Sequence, residues 1–421
     1  MNPIALVLQA ALGCAVLTLG LGKLIGHPRL RAAFVRLRLP AWLRLALGAV
    51  ETVLGAALLI SVVQPILAFP AAALVALIST GAVGIHLLRG RQGGWPVPAT
   101  LLLAALGVAG LQPLGLRIMA LPVAKSLPLA AAPEFKVLTA FPPGVWLESL
   151  VVAPDGAIFL TANQGLDLMT GDRANAMGKV VRRAPDGSLT TVLALPERSV
   201  AGALALDQAG ALYLTSLGDV PGVWRIADGQ AARLADLPPD AWPNGLSIGP
   251  DGQLYVADSR LGRIWRVDPT SGAVSIAVED DLLRPRPFVA LAPGANGVGF
   301  RGDEMIVTVS DRAMVLGFRI AGDGSFALPV VLATGIPGDG LAIDAAGTLH
   351  VTTHPYDSVV RIASDGTETL VATGEQGISG ASDAAFGTGA TDTGTLYVTT
   401  DGGAFGGKRD AAGLLVALRL R

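Results

Sequence analysis

From residue 134 onward the chain repeats itself every 42 to 54 residues, and no other feature restricts its fold as tightly. Each unit opens with a short apolar run, turns, and continues into a second apolar strand: ESLVVAPDG then AIFLTAN, NGLSIGPDG then QLYVADS, NGVGFRGDE then MIVTVS, DGLAIDAAG then TLHVTTH. Phe159, Tyr213, Tyr255, Ile306, His350 and Tyr397 hold the same place in successive second strands. A third strand (VWRIADG, RIWRVDP, VVRIASDG) and a fourth (TVLALPE, ARLADLPP, TLVATG) follow. Alternating β-branched and aromatic residues between Gly/Asp turns specify antiparallel sheet. A period of this length is that of a four-stranded propeller blade, so the expectation is six blades. The last unit stops at Arg421 after its third strand, LLVALRL, while FKVLTAFPP at 135–143 reads as a fourth strand with no unit before it. An N-terminal strand completing blade six would close the ring and leave no open sheet edge.

The residues before 131 are of a different kind. They carry ten Lys/Arg and one acid, Glu51, whereas the remainder carries 21 basic and 32 acidic residues, so the net charge of −2 hides two oppositely charged parts. Residues 4–25 are apolar for the ~20 residues a bilayer-spanning helix needs, and similar runs follow near 41–63, 67–88 and 97–118. The start MNP lacks the basic region of a cleaved signal. The expected fold class is therefore multidomain: an all-α four-helix transmembrane bundle over 1–118, a Pro/Ala-rich linker over 119–133, and an all-β six-bladed propeller over 134–421 closed by an N-terminal strand. Arg29, Arg31, Arg36 and Arg38 in the first connection, with Arg89 and Arg91 in the third, place those loops in the cytoplasm by the positive-inside rule. Arg117 and Lys125 weaken that orientation without reversing it. The chain reads as an integral protein of a plasma or inner membrane with the lipid bilayer as partner and its propeller extracytoplasmic. Glu51 and His86 fall near or within spans, where ionisable groups default to function; a Glu51 paired with Lys23 or an arginine near the interface, purely to fix helix packing, is the plainer account of Glu51. The single cysteine, Cys14, excludes an intrachain disulfide and a cysteine metal cluster. No basic run in the second part suggests nucleic acid.

The opening positions of the six units are read as Glu148, Ala201, Asn244, Asn296, Asp339 and Ser382. First strands line a propeller's channel, so these side chains form one layer. Glu148, Asn244, Asn296 and Asp339 supply four hard oxygen donors with a formal charge of −2, which suits Ca²⁺ with water completing the shell. Mg²⁺, Mn²⁺ and Zn²⁺ stay open, because geometry and availability separate these metals. Asn-Gly and Asp-Gly are also tight-turn dipeptides, and any one of them alone reads as a turn. Four in register, with Glu148 where no turn wants Glu, favour a cation site; Asp155, Asp186 and Asp251 in the PDG turns are structural. Second strands end beside the starts of first strands, which puts Asn163, Ser259, Ser310, His354 and Asp401 next to the layer. Of these His354 titrates near neutral pH and is a candidate for proton transfer; His350, inside its strand, reads as packing.

At these residues the second part resembles the senescence-marker-protein/gluconolactonase family of six-bladed propellers, whose wider relatives are the paraoxonases and the squid-type diisopropylfluorophosphatase. The resemblance covers about 134–421. It implies a Glu in blade one, Asn residues in the middle blades and a later Asp as metal ligands, which Glu148, Asn244, Asn296 and Asp339 match in order. Glu-Ser-Leu at 148–150, where many members have Glu-Gly-Pro, and Ala201 in blade two depart from that pattern. The first part, GLGKLIGHPRL…LPAWLRLALGAVETVLGAALLI, resembles the DoxX-like four-helix membrane family over roughly 3–115, through its Lys-x-x-Gly loop and the Glu of helix two. The combined implication is a membrane-anchored, metal-dependent hydrolase of a lactone or related ester, with Asp339 as ligand and base and His354 in proton transfer. No Ser stands in a nucleophile elbow. Two rivals are a non-catalytic tethered binding module braced by Ca²⁺, and an active membrane bundle using Glu51 and Cys14 with the propeller as sensor. Substrate and oligomeric state are not encoded in these patterns.

Overall fold

The computed structural model describes residues 3–62, 67–88, 95–111, 124–130, 132–167, 171–286, 293–389, 392–405, 408 and 410–420. They fall into two compact units, Met1–Met119 and Ala120–Arg421.

The first unit is helical: α1 (Pro3–Leu24), α2 (Pro28–Arg36), α3 (Ala41–Ile60), α4 (Ala68–Leu88) and α5 (Pro96–Leu111). Among the described residues three helices, α1, α3 and α4, are long and apolar enough to cross a membrane, and α5 is a shorter apolar helix. Of the four expected spans, three are matched among the described residues. The fourth expected span, 97–118, leaves them after residue 111. The first connection contains α2, whose nine-residue, arginine-rich sequence PRLRAAFVR is too short and too charged to give a span signal. Arg89, Arg91 and Arg117 lie outside the described residues.

Glycines let α1 and α3 approach backbone to backbone, as small residues do between membrane helices. A Cβ on Gly20 would stand 2.5 Å from the Thr52 nitrogen, and one on Gly55 2.4 Å from the Leu17 nitrogen. Lys23 Nζ donates to both carboxylate oxygens of Glu51 across this seam. At its other end buried Gln9 donates to Leu58 O at 3.3 Å and to Ser61 Oγ at 2.7 Å. Glu51 is therefore a packing partner of Lys23, and pairing removes the cost of an isolated charge among apolar helices.

The second unit is a six-bladed β-propeller of four-stranded antiparallel sheets, each ordered from its inner first strand outward. Blade one, for example, runs Trp146–Val152, Ile158–Gln164, Met177–Arg183 and Leu189–Ala194. The sheet built from Ala381–Phe386, Thr395–Thr400 and Leu414–Arg419 takes its outermost strand from Glu134–Ala140, with Phe135 opposite Leu418 and Val137 opposite Val416. Part of the stretch read as a linker lies along blade five. Lys125 N donates to Gly335 O (3.0 Å), Ala130 N to Leu370 O (2.8 Å), and Leu370 N to Pro128 O (2.9 Å). Lys125 also pairs with Glu368.

Neighbouring blades are joined by a threonine repeated in the second strands. Thr215 Oγ1 donates to Asn244 O (2.7 Å), Thr308 to Asp339 O (2.6 Å) and Thr352 to Ser382 O (2.9 Å). Each bond reaches the main chain of the next blade's opening residue, at about 1 kcal/mol apiece. A second repeat lies lower in the same strands. Tyr213, Tyr255 and Tyr397 donate their hydroxyls to Asp207, Asp251 and Asp392 at 3.0–3.1 Å. Blade five puts His350 at that place, 2 % exposed, with the ring edge-on to Phe386 at 5.1 Å.

Candidate functional site

Strand register fixes which residues share a level in the channel. Leu150, Leu204, Leu246, Val298, Leu341 and Ala384 stand opposite equivalent second-strand residues: Leu160, Leu214, Val256, Val307, Val351 and Val398. Two residues earlier come Glu148, Gly202, Asn244, Asn296, Asp339 and Ser382. Blade two therefore opens with Gly202, one place later than the Ala201 expected from sequence. A Cβ at Gly202 would lie 2.5 Å from Thr215 Oγ1. Ala201 instead offers its main chain to Asn163, whose side-chain amide donates to Ala201 O and accepts from Ala201 N, both at 2.8 Å.

The inner strands enclose a cavity of about 310 Å³, and Glu148, Asn244, Asn296 and Asp339 all line it. The glycines behind three of these residues serve close packing. A Cβ on Gly245 would meet Asn296 O at 2.2 Å, one on Gly297 would meet Asp339 O at 2.4 Å, and one on Gly340 would meet Asp383 Oδ1 at 2.1 Å. The Asn-Gly and Asp-Gly pairs thus sit where adjacent blades touch, and none of these three glycines has a positive φ.

The residues ending the second strands orient those opening the first. Asn244 Nδ2 donates to Ser259 Oγ (3.1 Å), and Ser259 Oγ donates on to Ala295 O (2.7 Å). Asn296 Nδ2 likewise donates to Ser310 Oγ (2.9 Å), which donates to Gly338 O (2.6 Å). A hydroxyl that spends its proton on a carbonyl can only accept from the amide, so the network assigns nitrogen to the serine and leaves each Oδ1 for the channel. In blade five His354 Nδ1 lies 3.3 Å from Asp339 Oδ2 and Nε2 lies 3.0 Å from Asp401 Oδ2. Nε2 is off-line for a hydrogen bond to Asp401, so that contact is ionic by distance. Asp401 is held in turn by the main-chain N–H groups of Gly403 and Phe405, both at 2.6 Å, and the Phe405 ring covers His354 at 4.8 Å.

Electrostatics follow from this crowding. Burial first, then Asp339, pushes the Glu148 carboxyl up to about 8. Burial works against a charged His354, but Asp339 and Asp401 outweigh it and hold the imidazole pKa well above its ordinary value. Burial also opposes ionisation of Asp401, yet His354 and the loop N–H groups keep that carboxyl below the usual range. The layer is thus out of bulk water and crowded with carboxyl groups, with one imidazolium facing it.

Sequence reading missed Asp383. It follows Ser382 at the place other blades give to Ser149, Ala203 and glycines, and it lines the same cavity. Its Oδ2 accepts from Ser149 Oγ (2.6 Å) and its Oδ1 from Ala384 N (2.8 Å), while burial pushes its carboxyl up to about 7. A carboxylate where neighbouring units carry small residues was the available signal.

Among the described residues no group of three or more His, Cys, Asp or Glu is arranged to hold a metal ion. The set proposed from sequence mixes two carboxylates with two carboxamides. Its chemistry fits a hard cation: every donor is oxygen, both amides are oriented, and Glu148 is held up by burial and by the charge of Asp339, which a cation would offset. Orienting partners of metal ligands are typically worth 10–100-fold in affinity. Ser259→Ala and Ser310→Ala are each expected to weaken Ca²⁺ binding about tenfold by calorimetry on the full chain. Unchanged affinity in both would show that the amides need no such support.

The profile described as the SMP-30/gluconolactonase/LRE-like region matches residues 177–402. The chain belongs to this family. A DoxX-like family profile matches residues 7–108, so an SMP-30/gluconolactonase-like propeller follows a DoxX-like domain. Solved structures similar to the chain include a calcium-binding regucalcin from Agrobacterium tumefaciens, 18% identical over 70% of this chain and 98% of that one, with TM-score 0.49. A gluconolactonase from Xanthomonas campestris is 16% identical over 71% and 95%, with TM-score 0.48. A luciferin-regenerating enzyme is 14% identical over 68% and 95%, with TM-score 0.49. No curated protein matches the chain.

Proposed function

We propose that this chain is a membrane-anchored, divalent-cation-dependent hydrolase of lactones or related esters, with Ca²⁺ the cation its donors suit best. The observation that carries this reading is the convergence of Glu148, Asn244, Asn296 and Asp339 on one cavity, with both amide oxygens left free by Ser259 and Ser310. Membership of a family described by its gluconolactonases supports it. Those four residues would hold the cation, which when bound would polarise a substrate carbonyl. Asp339 has one oxygen on His354 and so keeps the other for ligation and for taking a proton from water. His354 keeps a proton between two carboxylates beside it, placed to restore the proton balance after ring opening. Deep placement of these charges strengthens every interaction among them. We further place the N-terminal unit in the lipid bilayer of a plasma or inner membrane with the propeller extracytoplasmic, which Arg29, Arg31 and Arg36 of α2 support.

The test is a panel of lactones, esters and phosphotriesters offered to the full chain. Turnover is expected with Ca²⁺, is lost on chelation, and returns when Ca²⁺ is restored. If no member is turned over with Ca²⁺, Mg²⁺, Mn²⁺ or Zn²⁺, while chelation lowers the melting temperature, the cation is a brace in a non-catalytic module.

A further inference from the structure

One blade breaks the polar pattern around the ligand layer. The residue closing the second strand is Asn163, Ser259, Ser310, His354 or Asp401 in five blades, and each bonds or pairs beside the layer. Blade two carries Leu217 there and opens with Gly202, so it offers no polar side chain at either place. Leu217 does not stand alone. With Leu166 and Phe405, all half-buried, it packs on the buried residues Trp146, Ala176 and Val200. Trp146 meets Phe405 edge-on at 5.6 Å, and Phe405 meets His354 at 4.8 Å. An apolar shelf therefore runs without a break from blade two to the imidazole that holds Asp339.

We propose that this shelf receives the apolar substituent of the substrate, so that the site selects alkyl- or aryl-substituted lactones or esters over polyhydroxylated sugar lactones. The inference rests on the hydrolase reading above. A sugar ring laid against Leu217, Leu166 and Phe405 would leave hydroxyls without partners. An alkyl chain there leaves water at a gain of about fourfold in kcat/KM per methylene.

The experiment uses the full chain in lipid nanodiscs with Ca²⁺, so that no detergent competes for the shelf. Its substrates are γ-lactones with unbranched alkyl substituents of one to six carbons, with gluconolactone as the polar comparator. Wild-type kcat/KM is expected to climb about fourfold per carbon over the first few carbons. Leu217→Ser is expected to cut the hexyl-to-methyl ratio at least tenfold, Leu217→Met to keep it, and Leu189→Ser on the outer strand of blade one to leave it unchanged. A flat wild-type series, or an unaltered ratio in Leu217→Ser, overturns the proposal while the hydrolase reading stands. If no lactone is turned over, calorimetry of the matching ring-opened hydroxyalkanoates decides. Affinity rising with chain length in wild type but not in Leu217→Ser keeps the shelf and rejects the hydrolase. Affinity independent of length, or no binding, overturns the shelf as well.

Discussion

Asp339→Ala is expected to lower kcat/KM on the order of 10³-fold, because one change removes a cation donor, the candidate base and the partner of His354. His354 would then face Asp401 alone, and the imidazole would lose the contact that points it at the layer. The fold is expected to survive. Thr308 bonds the main-chain oxygen of residue 339, which alanine retains. Removing one charge also relieves Glu148, whose carboxyl Asp339 helps to push up. The thermal transition of the cation-free variant is therefore expected to stay at or slightly above that of wild type. Ca²⁺ is expected to raise it less than it raises wild type, since fewer donors bind the ion. Wild-type turnover in Asp339→Ala with Ca²⁺ present would remove Asp339 from the chemistry.

The second large effect concerns His350 and pH. Burial lowers its pKa from 6.5 to about 4, because the ring is packed against Phe386 inside blade five. Between these two values the unfolded chain holds a proton that the folded chain does not. Stability is then complete above about pH 6.5 and is lost as pH falls toward 4. The loss is about 3 kcal/mol at 1.36 kcal/mol per pH unit. For a domain of this size that corresponds to roughly 2–4 °C in Tm per kcal/mol. His350→Tyr restores the residue that blades two, three and six use here, with Asp344 at the place that Asp207 holds before Tyr213. The variant is expected to lose this acid-dependent component. Near-ultraviolet circular dichroism between pH 7 and 4 on wild type and variant isolates it, since every other titrating side chain is common to both. Parallel pH profiles would show that His350 titrates normally in the fold.

Much of this architecture was legible from sequence because it is periodic. The Phe/Tyr/Ile/His position of the second strands, the PDG turns and the apolar runs before residue 112 are short-range patterns, and they pointed to a propeller behind membrane-type helices. A basic partner for Glu51 was also foreseeable from charge scarcity in that region, with Lys23 and an arginine both open until the structure chose Lys23. Errors arose where the pattern was weak. The opening of blade two was placed on Ala201 because a glycine and an alanine are equally silent in a hydropathy pattern, and only hydrogen-bond register separates them. Helix α2 was overlooked because a nine-residue amphipathic helix between spans looks like a polar loop.

Taken alone, the chain determined the number of blades, the strand order within them and the carboxylate and carboxamide residues that head four of them, because each depends on spacing between near neighbours. Tertiary packing alone decided which oxygen of Asn244 and Asn296 faces the channel, how His354 comes to lie between Asp339 and Asp401, and why Leu217 joins Trp146 and Phe405. Those arrangements bring together side chains from different strands and blades. A contact made when a ring of sheets assembles leaves no trace in the local order of residues.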